Sequence, residues 1–388
     1  MKPNVYQYFR QERISYGFPV NEAVARELEK VDHNRIFVIA TKSLNRKTEV
    51  VSSLVKSLGN RFCGLFDEVE PHVPRPMAVN ATKAAREAKA DMLISIGGGS
   101  AVDTGKMIQI CLAEGITDPG ELDRFTVKTD DAGRTVVPVI KTPPLRQIVV
   151  PTTLSGGEWS HTTGATDPVR HNKDIYIQDD LAAPAVIYDA SATVSTPEWL
   201  WMSSGMRAVD HAIGSITTAN PNPLTDATTP AGLKRLTAAM RAVKANPDDL
   251  EARLNCQLGV WLSSTGMMRM QYGASHGLSW HLSAVADVPH GHCSCVLLPA
   301  TLRYNEPANS EQQKIVSECL GSPGMPAADA VLALINELEL PSRLRDVGIK
   351  REHFQKIADD SMHNLLVRNN PRKIDKPEQV LEILEMAW

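Results

Sequence analysis

The spacing of apolar residues changes once along this 388-residue chain. Before the change, short apolar runs such as RIFVIA (35–40) and RQIVVPTT (146–153) alternate with helix-sized segments. Runs this short and continuous are typical of strands buried on both faces of a parallel sheet. From about Thr196 onward the pattern is helical almost throughout. The sequence therefore predicts an α/β domain with a parallel sheet over 1–195, followed by an all-helical domain over 196–388.

The same patterns locate individual elements. Two more strands are predicted at RFCGLF (61–66) and DMLISIGGG (91–99), with a hairpin and a last strand in the turn-rich segment 160–189. Helices are predicted over 44–58, 78–90, 198–218, 228–245, 248–268 and 326–340.

Charge and composition exclude several classes of partner. The net charge is −4, and no Lys/Arg-rich run with interleaved aromatic residues occurs, so we expect no nucleic acid and no anionic membrane surface. No apolar run approaches the roughly 18 residues of a spanning helix, and the charged N-terminal segment does not resemble a signal peptide. The six scattered cysteines are typical of reduced thiols in a cytoplasm. A small-molecule partner is the natural expectation.

The segment ISIGGGSAVDTGKMI (94–108) runs from a strand through three glycines into a helix. Glycines let the backbone approach a ligand closely, and the free N–H groups at the start of a helix attract phosphate. The candidate phosphate-binding residues are Gly97, Gly98, Gly99 and Ser100. Asp103 could face sugar hydroxyls or an amide, and Lys106 could face phosphate. The alternative is a tight turn that binds no ligand.

A second polar loop, PTTLSGGEWS (151–160), also follows a strand. Open α/β sheets bind their ligands at the carboxyl ends of strands. The hydroxyls of Thr152, Thr153 and Ser155 are therefore candidate hydrogen-bonding groups for a nucleotide. The alternative is an ordinary polar loop.

Histidines concentrate in the helical half. His276, His281, His290 and His292 fall within 17 residues, and His211 lies on an earlier helix. Three neutral imidazoles, with a carboxylate as a fourth ligand, are able to hold Zn²⁺ or Fe²⁺. A cluster this dense favours a functional site over scattered polar groups.

Taken in order, GGGSAVDTGK, PTTLSGGEWS, GMRAVDHAIG, HGLSWHL and PHGHCSCVLLP resemble the iron-containing (group III) alcohol dehydrogenase family over essentially the whole chain. NPDDLEARLNCQLGVWLSSTG and NNPRKI are most similar to its maleylacetate reductase branch. The resemblance implies a dehydroquinate synthase-like fold, with a dinucleotide-binding domain, a helical domain and hydride transfer in the cleft between them. It also implies a homodimer.

For the cofactor, the resemblance implies that Gly97 to Ser100 form the pyrophosphate loop and that Asp103 and Lys106 complete the signature. Thr152 and Thr153 match the loop beside the ribose and nicotinamide. Many NAD-preferring members have an aspartate on the ribose where this chain has Thr41. Lys42 and Arg46 follow, so a 2′-phosphate meets less repulsion and both NADH and NADPH are expected cofactors.

For the metal, the family pattern is Asp-x-x-x-His, but this chain has Arg207 four residues before His211. A guanidinium cannot ligate and opposes a nearby dication. Asp210 lies about 60° from Arg207 around the helix, so it replaces the missing ligand only with a shifted geometry. Maleylacetate reductases also depart from the aspartate and are regarded as metal-free. We expect no metal; the alternative is Fe or Zn held by His211, His276 and His290.

Two alternative roles are predicted for Arg207. It clamps a substrate carboxylate or stabilises a developing alkoxide, together with the histidines His276 and His290. Alternatively it forms a helix salt bridge with Asp210 or Glu198. His281 is the first candidate proton donor and His211 the second.

The sequence thus predicts a metal-independent NAD(P)H oxidoreductase for a small oxo-acid or alcohol. The alternatives are a metal-dependent alcohol dehydrogenase and a non-catalytic nucleotide-binding protein. Two bulky indoles, Trp159 and Trp280, are expected near the pocket and would favour a larger substrate.

Overall fold

The computed structural model describes residues 6–130, 134–170, 172–267 and 270–388. The chain divides into two compact units, Met1–Thr196 and Pro197–Trp388. Each unit has hydrophobic cores of its own. Among the helices of the described residues, none is both long and apolar enough to cross a bilayer.

The first unit contains strands and helices in alternation. Its strands, within the described residues, are β1 (Arg13–Tyr16), β2 (Ile36–Ala40), β3 (Phe62–Phe66), β4 (Met92–Gly97), β5 (Lys128–Thr129), β6 (Thr135–Val136), β7 (Gln147–Pro151), β8 (Thr162–Asp167), β9 (Asn172–Ile177) and β10 (Ala185–Tyr188). Its helices are α1 (Val20–Leu28), α2 (Lys42–Lys47), α3 (Val50–Leu58), α4 (Arg75–Glu87) and α5 (Gly99–Glu114).

Six strands form one sheet in the order β1-β10-β7-β4-β2-β3, and every neighbouring pair is parallel. The sheet is buried on both faces because alternate residues of a strand point to opposite sides. Ile36 and Val38 of β2 pack in a core with α1 and α3, whereas Phe37 and Ile39 pack in a core with α4. The predicted parallel α/β domain is confirmed.

The order of the strands places a switch point between β2 and β4. The chain passes from β2 to β3 on one side and then returns to β4 on the other side of β2. Ligands of open α/β sheets bind at the carboxyl ends of strands beside such a point. Thr41 follows β2 and Gly97 ends β4, so both lie at this switch point.

The predicted hairpin is present as the antiparallel pair β8 and β9. Arg75 of α4 is buried and contacts Asp123 and Asp174 at 2.7 Å each and Asp167 at 3.4 Å. Arg170 contacts the same three carboxylates. Two guanidiniums thus offset most of the charge of three acids and attach the hairpin to α4.

The predicted helix over 44–58 is wrong in one respect, because it is two helices. Thr48 has an extended backbone, its hydroxyl donates to the carbonyl of Leu44 at 2.6 Å, and it accepts from the N–H of Val50 at 3.3 Å. Local bonds from a threonine side chain compete with helix hydrogen bonds in this way. They end α2 and begin α3.

The second unit is helical, as predicted. Within the described residues its helices are α6 (Glu198–Ile216), α7 (Pro223–Ala245), α8 (Leu250–Ser264), α9 (Ala274–Ala286), α10 (His290–Cys319), α11 (Ala327–Glu337), α12 (Phe354–Ser361), α13 (Leu365–Arg368) and α14 (Pro377–Met386). Helix α10 is kinked at Asn309, two residues after Pro307. Apolar side chains of α9, α10, α12 and α14 share one core, which fixes the position of the histidine-bearing helices.

Candidate active site

The three glycines lie where β4 becomes α5. Gly97 has a φ of +149°, a conformation that only glycine adopts readily. A Cβ on Gly98 would lie 3.0 Å from the side chain of Thr153, and one on Gly99 would lie 3.3 Å from that of Ser155. Helix α5 begins at Gly99, so the N–H groups of its first turn lie at Gly99 and Ser100. This arrangement suits a phosphate group.

The second polar loop packs directly against the first. The N–H of Thr152 donates to the carbonyl of Gly97 at 2.9 Å, and the hydroxyls of Thr153 and Ser155 are 3.3 Å apart. Thr152 and Thr153 are both buried. The structure therefore brings the glycine loop and the threonine loop together, as the cofactor prediction requires.

The cations that follow Thr41 have acidic partners. Lys42 Nζ lies 3.5 Å from Glu68, and Arg46 Nε lies 3.8 Å from Asp67, the two acids that follow β3. These two carboxylates were not foreseen from the sequence. They supply negative charge beside the cations, so the use of NADPH stays a prediction.

Lys106, predicted to face phosphate, is instead bonded to backbone carbonyls of the threonine loop and of β8. Its side chain is 1% exposed, and its ammonium donates to the carbonyls of Gly157 at 2.7 Å and Thr162 at 2.9 Å. Asp103 keeps 22% of its side chain exposed and lies 3.8 Å from Lys106. Lys106 therefore fixes the threonine loop to α5, while Asp103 stays accessible to a ligand.

A buried network beside this loop was not foreseen. Trp159 Nε1 donates to the hydroxyl of Tyr188 at 2.9 Å, and that hydroxyl donates to Glu158 at 3.1 Å. Burial raises the pKa of Glu158 from its ordinary 4.5 to about 7. Trp159 is buried in this network in the first unit, so the expectation that its indole shapes a pocket is corrected.

In the second unit, Arg207, Asp210 and His211 lie within one turn of α6 and meet residues of α9 and α10. Asp210 Oδ2 accepts hydrogen bonds from Ser275 at 2.9 Å and Ser294 at 2.7 Å. The name Asp210 cluster is used below for Arg207, Asp210, His211, Ser275, His276 and Ser294. Asp210 is 1% exposed, and a carboxylate this buried is stable only with such donors.

The two imidazoles of the cluster contact each other. His276 Nε2 lies 2.8 Å from His211 Nδ1, and His276 Nδ1 lies 3.3 Å from Asp210 Oδ1. Tyr272 stacks on His276 with a distance of 4.4 Å between the ring centroids. Gly214, which has no side chain, leaves room for the ring of Tyr272. Burial, with His276 and Arg207 alongside, holds the pKa of His211 well below its ordinary value. Burial also lowers the pKa of His276, although Asp210 opposes this.

Two salt-bridge partners were considered for Arg207, and the structure shows Asp210 as the partner. Its Nη1 lies 3.4 Å from Asp210 Oδ2 and donates to Ser294 at 3.2 Å and Ser279 at 3.5 Å. Glu198 instead pairs with Lys244 at 2.6 Å. Every hydrogen bond and ion pair of Arg207 within the described residues uses Nη1, and 14% of the side chain is exposed. The edge formed by Nε and Nη2 therefore stays available to a ligand.

His281 and His290 lie apart from the imidazole pair. His281 is five residues after His276 on α9, about 140° around the helix, and its Nε2 lies 3.4 Å from Asn364. His290 begins α10, with Nδ1 3.4 Å from Ser283. The structure thus links two of the four predicted catalytic histidines, His211 and His276, to Arg207 through Asp210. It leaves His281 and His290 outside the Asp210 cluster.

A cavity of about 30 Å³ adjoins the cluster within the second unit. Its lining includes Asp210, His276, Asn305 and Thr301, whose buried hydroxyl has no partner among the described residues. A polar cavity of this volume accommodates a water molecule or two.

Family models match nearly the whole chain. A model described as iron-containing alcohol dehydrogenase matches residues 12–190, and the C-terminal model of the Fe-containing alcohol dehydrogenase family matches residues 201–388. The chain belongs to the iron-containing alcohol dehydrogenase family. It is therefore an NAD-dependent oxidoreductase, as the motifs predict.

Individual relatives place this family member with the maleylacetate reductase branch. Dehydrogenase FUM7 of Gibberella moniliformis is 28% identical over 412 residues, covering 96% of this chain and 95% of that protein. Maleylacetate reductase of Burkholderia cepacia is 27% identical over 379 residues, covering 98% and 96%. The crystal structure of maleylacetate reductase from Agrobacterium tumefaciens has a TM-score of 0.83 and 26% identity, covering 100% of this chain and 99% of that one.

The family name implies an iron ion, but the residues of this family member do not fit one. Within the described residues, the one set of three ligand side chains with atoms within 4.8 Å of each other is Asp123, Asp167 and Asp174, which pair with arginines. His211, His276 and His290 do not converge in that way. The distance of 2.8 Å between His276 Nε2 and His211 Nδ1 suits a hydrogen bond in which the two nitrogens share one proton. The carboxylate beside these imidazoles, Asp210, is paired with the guanidinium of Arg207.

Sequence reasoning missed the serines that organise this site, and it considered Asp210 only as a substitute metal ligand or as a salt-bridge partner of Arg207. Ser275 precedes His276 and Ser294 lies between two cysteines, and each looks unremarkable alone. Their clustering depends on how α9 and α10 pack on α6. The one available signal was the three-residue spacing of Arg207 and Asp210, which favours a salt bridge on a helix.

Proposed function

We propose that this enzyme uses NAD(P)H to reduce a carbonyl, or a double bond conjugated to one, in a small oxo-acid, without a metal ion. The observation that carries the proposal is Arg207 at the Asp210 cluster, a permanent cation with one edge free, beside two hydrogen-bonded imidazoles. The names of the relatives, several of them maleylacetate reductases, support the same substrate class.

For the cofactor, the glycine loop and the threonine loop supply the binding groups. We assign the pyrophosphate to the first turn of α5, at Gly97 to Ser100, and the ribose and amide to Thr41, Asp103, Thr152 and Thr153. When bound, NAD(P)H supplies the hydride. Lys106 acts on the cofactor only through the loop that it fixes.

For the substrate, the available edge of Arg207 suits a carboxylate. An Arg–carboxylate pair with two parallel hydrogen bonds is both strong and directional. Asp210 and two serines hold Nη1, so the guanidinium is already oriented before substrate binds. Orientation in advance reduces the cost of binding.

For the proton, we assign His211 rather than His281 as the donor to the new hydroxyl group. His211 ends a hydrogen-bonded chain through His276 to Asp210, whereas His281 contacts Asn364 on another side of α9. A positioned imidazole typically contributes about 10²- to 10⁴-fold to the rate. His290 stays a candidate for contact with the substrate.

The test is NADH and NADPH oxidation with a panel of small oxo-acids and their methyl esters. The wild type should reduce at least one oxo-acid and prefer it to the ester. Arg207→Gln should lower kcat/KM for the acid by about 10- to 100-fold, corresponding to a charge-assisted hydrogen bond of 1.5–3 kcal/mol, and affect the ester much less. Arg303→Gln, which removes an exposed arginine paired with Asp329, is the control.

Two results would overturn the proposal. If no member of the panel accelerates cofactor oxidation, the proposed substrate class fails. Equal losses for acid and ester in Arg207→Gln would remove the carboxylate clamp. A homodimer in the cytoplasm is proposed on the resemblance alone, and sedimentation of the purified enzyme tests the dimer.

A further inference from the structure

The two oxygens of Asp210 have different partners. Oδ2 accepts from two serine hydroxyls and lies 3.4 Å from Arg207 Nη1. Oδ1 lies 3.3 Å from His276 Nδ1. Burial alone would raise the pKa of Asp210, but His276 and Arg207 more than offset this and hold it below its ordinary value. Asp210 is therefore a fixed negative charge, with one oxygen directed at an imidazole.

This charge determines which nitrogens carry protons. A carboxylate beside His276 Nδ1 favours a proton on that nitrogen, so the neutral ring has a bare Nε2. Since Nε2 of His276 is 2.8 Å from Nδ1 of His211, the bare nitrogen must accept a proton donated by His211 Nδ1. His211 Nε2 is then unprotonated and ends the chain.

We propose that Asp210 is a positioning residue for a proton relay in which His276 is the middle member and His211 exchanges the proton with the substrate oxygen. The relay rests on the proposed function, because it needs a substrate oxygen to receive the proton. Nothing in the family pattern requires Asp210, which precedes the histidine where the motif specifies no residue.

The resting pair takes one proton from solvent onto His211 Nε2, and the positive charge is shared with His276 and stabilised by Asp210. As hydride from NAD(P)H adds to the carbonyl carbon, the carbonyl electron pair moves to oxygen. That oxygen takes the proton from His211 Nε2, giving an alcohol, NAD(P)⁺ and the resting pair. The cavity beside Asp210 and His276 has room for water near the buried end.

A merely structural Asp210 would stabilise the fold without setting the tautomers. The decisive measurement is therefore ¹⁵N NMR of protein labelled at histidine, with signals assigned from His211→Gln and His276→Gln. The relay predicts that both imidazoles of the wild type carry their proton on Nδ1 at neutral pH. In Asp210→Asn the amide is able to donate to His276 Nδ1, so the proton of that ring should move to Nε2.

Kinetics supply the second readout. Asp210→Asn should lower kcat by about 10²- to 10⁴-fold with KM changed less than about threefold, since the relay acts on the chemical step. Asp210→Glu, which keeps the carboxylate, should recover part of the loss. Asp329→Asn, at an exposed salt bridge, should change nothing.

The outcomes separate the relay from the proposed function. Nε2–H tautomers in the wild type would overturn the relay even if oxo-acids are reduced rapidly, as would full kcat in a folded Asp210→Asn. If no oxo-acid is reduced but both rings show Nδ1–H, the proposed substrate class fails, whereas the chain of tautomers set by Asp210 is supported. If Asp210→Asn does not fold, the tautomers of the wild type decide.

Discussion

His276 Nε2 and His211 Nδ1 lie 2.8 Å apart on two different helices. At that distance one nitrogen carries the proton and the other accepts it, so the protonation states of the two rings are linked. Arg207 and Asp210 flank the pair with opposite charges. The site therefore provides both a proton and a cation from protein side chains.

Removing one imidazole should remove the function of both. His211→Gln and His276→Gln are each expected to lower kcat by about 10²- to 10⁴-fold, and the double variant should be no slower than the worse single one, because groups that act as a unit are not additive. Steady-state rates on an accepted oxo-acid measure this. His281→Gln is the matched control and should retain most of its kcat; strictly multiplicative losses in the double variant would contradict the pairing.

Lys106→Met should loosen the threonine loop. It removes the ammonium donor from the carbonyls of Gly157 and Thr162, which keep only longer hydrogen bonds from Ser160, at 3.3 and 3.4 Å. The loss of hydrogen bonds to a charged group costs about 1.5–3 kcal/mol, partly offset by removing a desolvated ammonium. We expect a lower free energy of unfolding in denaturant titrations and a raised KM for NADH. Lys83→Met, at an exposed position on α4, is the control. An unchanged KM would show that Lys106 does not position the loop.

Glu158 should make stability depend on pH. Because burial raises its pKa from 4.5 to about 7, the folded state keeps the proton that the unfolded chain releases. The contribution of Glu158 to stability is thus fully present below pH 4.5 and is lost as pH rises to 7, by about 3 kcal/mol at 1.36 kcal/mol per unit. Glu158→Gln should abolish that fall. Denaturant titrations between pH 5 and 8 test this, with Glu87→Gln as the control; parallel curves for Glu158→Gln and wild type would contradict it.

The acids after β3 should bias the enzyme toward NADH. Asp67 and Glu68 face Lys42 and Arg46, so their charge opposes a 2′-phosphate at this end of the sheet. We expect Asp67→Asn and Glu68→Gln to raise kcat/KM for NADPH relative to NADH by about fivefold, equivalent to about 1 kcal/mol of charge interaction. Glu70→Gln should leave the ratio unchanged. A ratio that does not move would place the 2′-phosphate elsewhere.

The sequence predicts the fold well because its signals are local. Continuous β-branched runs become the buried strands β2, β4 and β7, and the glycines at 97–99 mark a turn that needs a positive φ at Gly97. The Thr48 break in the predicted helix was missed because it depends on a side chain bonding to its neighbouring backbone.

The site is less predictable because its contacts are between distant segments. Lys106 resembles a phosphate ligand until the carbonyls of residues 157 and 162, some 50 positions away, are seen to hold it. Asp210 becomes important only when Ser275, His276 and Ser294 pack around it. Arg207 is the exception, because it puts a positive charge where the family motif has an aspartate. This single substitution already indicates that the chemistry of the site differs.

Metal content measured together with activity is the most direct test of the central claim, that Arg207 and the paired imidazoles replace a divalent ion. Protein purified without chelator should contain far less than one iron or zinc per chain, and its kcat on an oxo-acid should survive dialysis against chelator and not rise on adding either ion. One tightly bound ion per chain, whose removal abolishes turnover and whose return restores it, would contradict the claim.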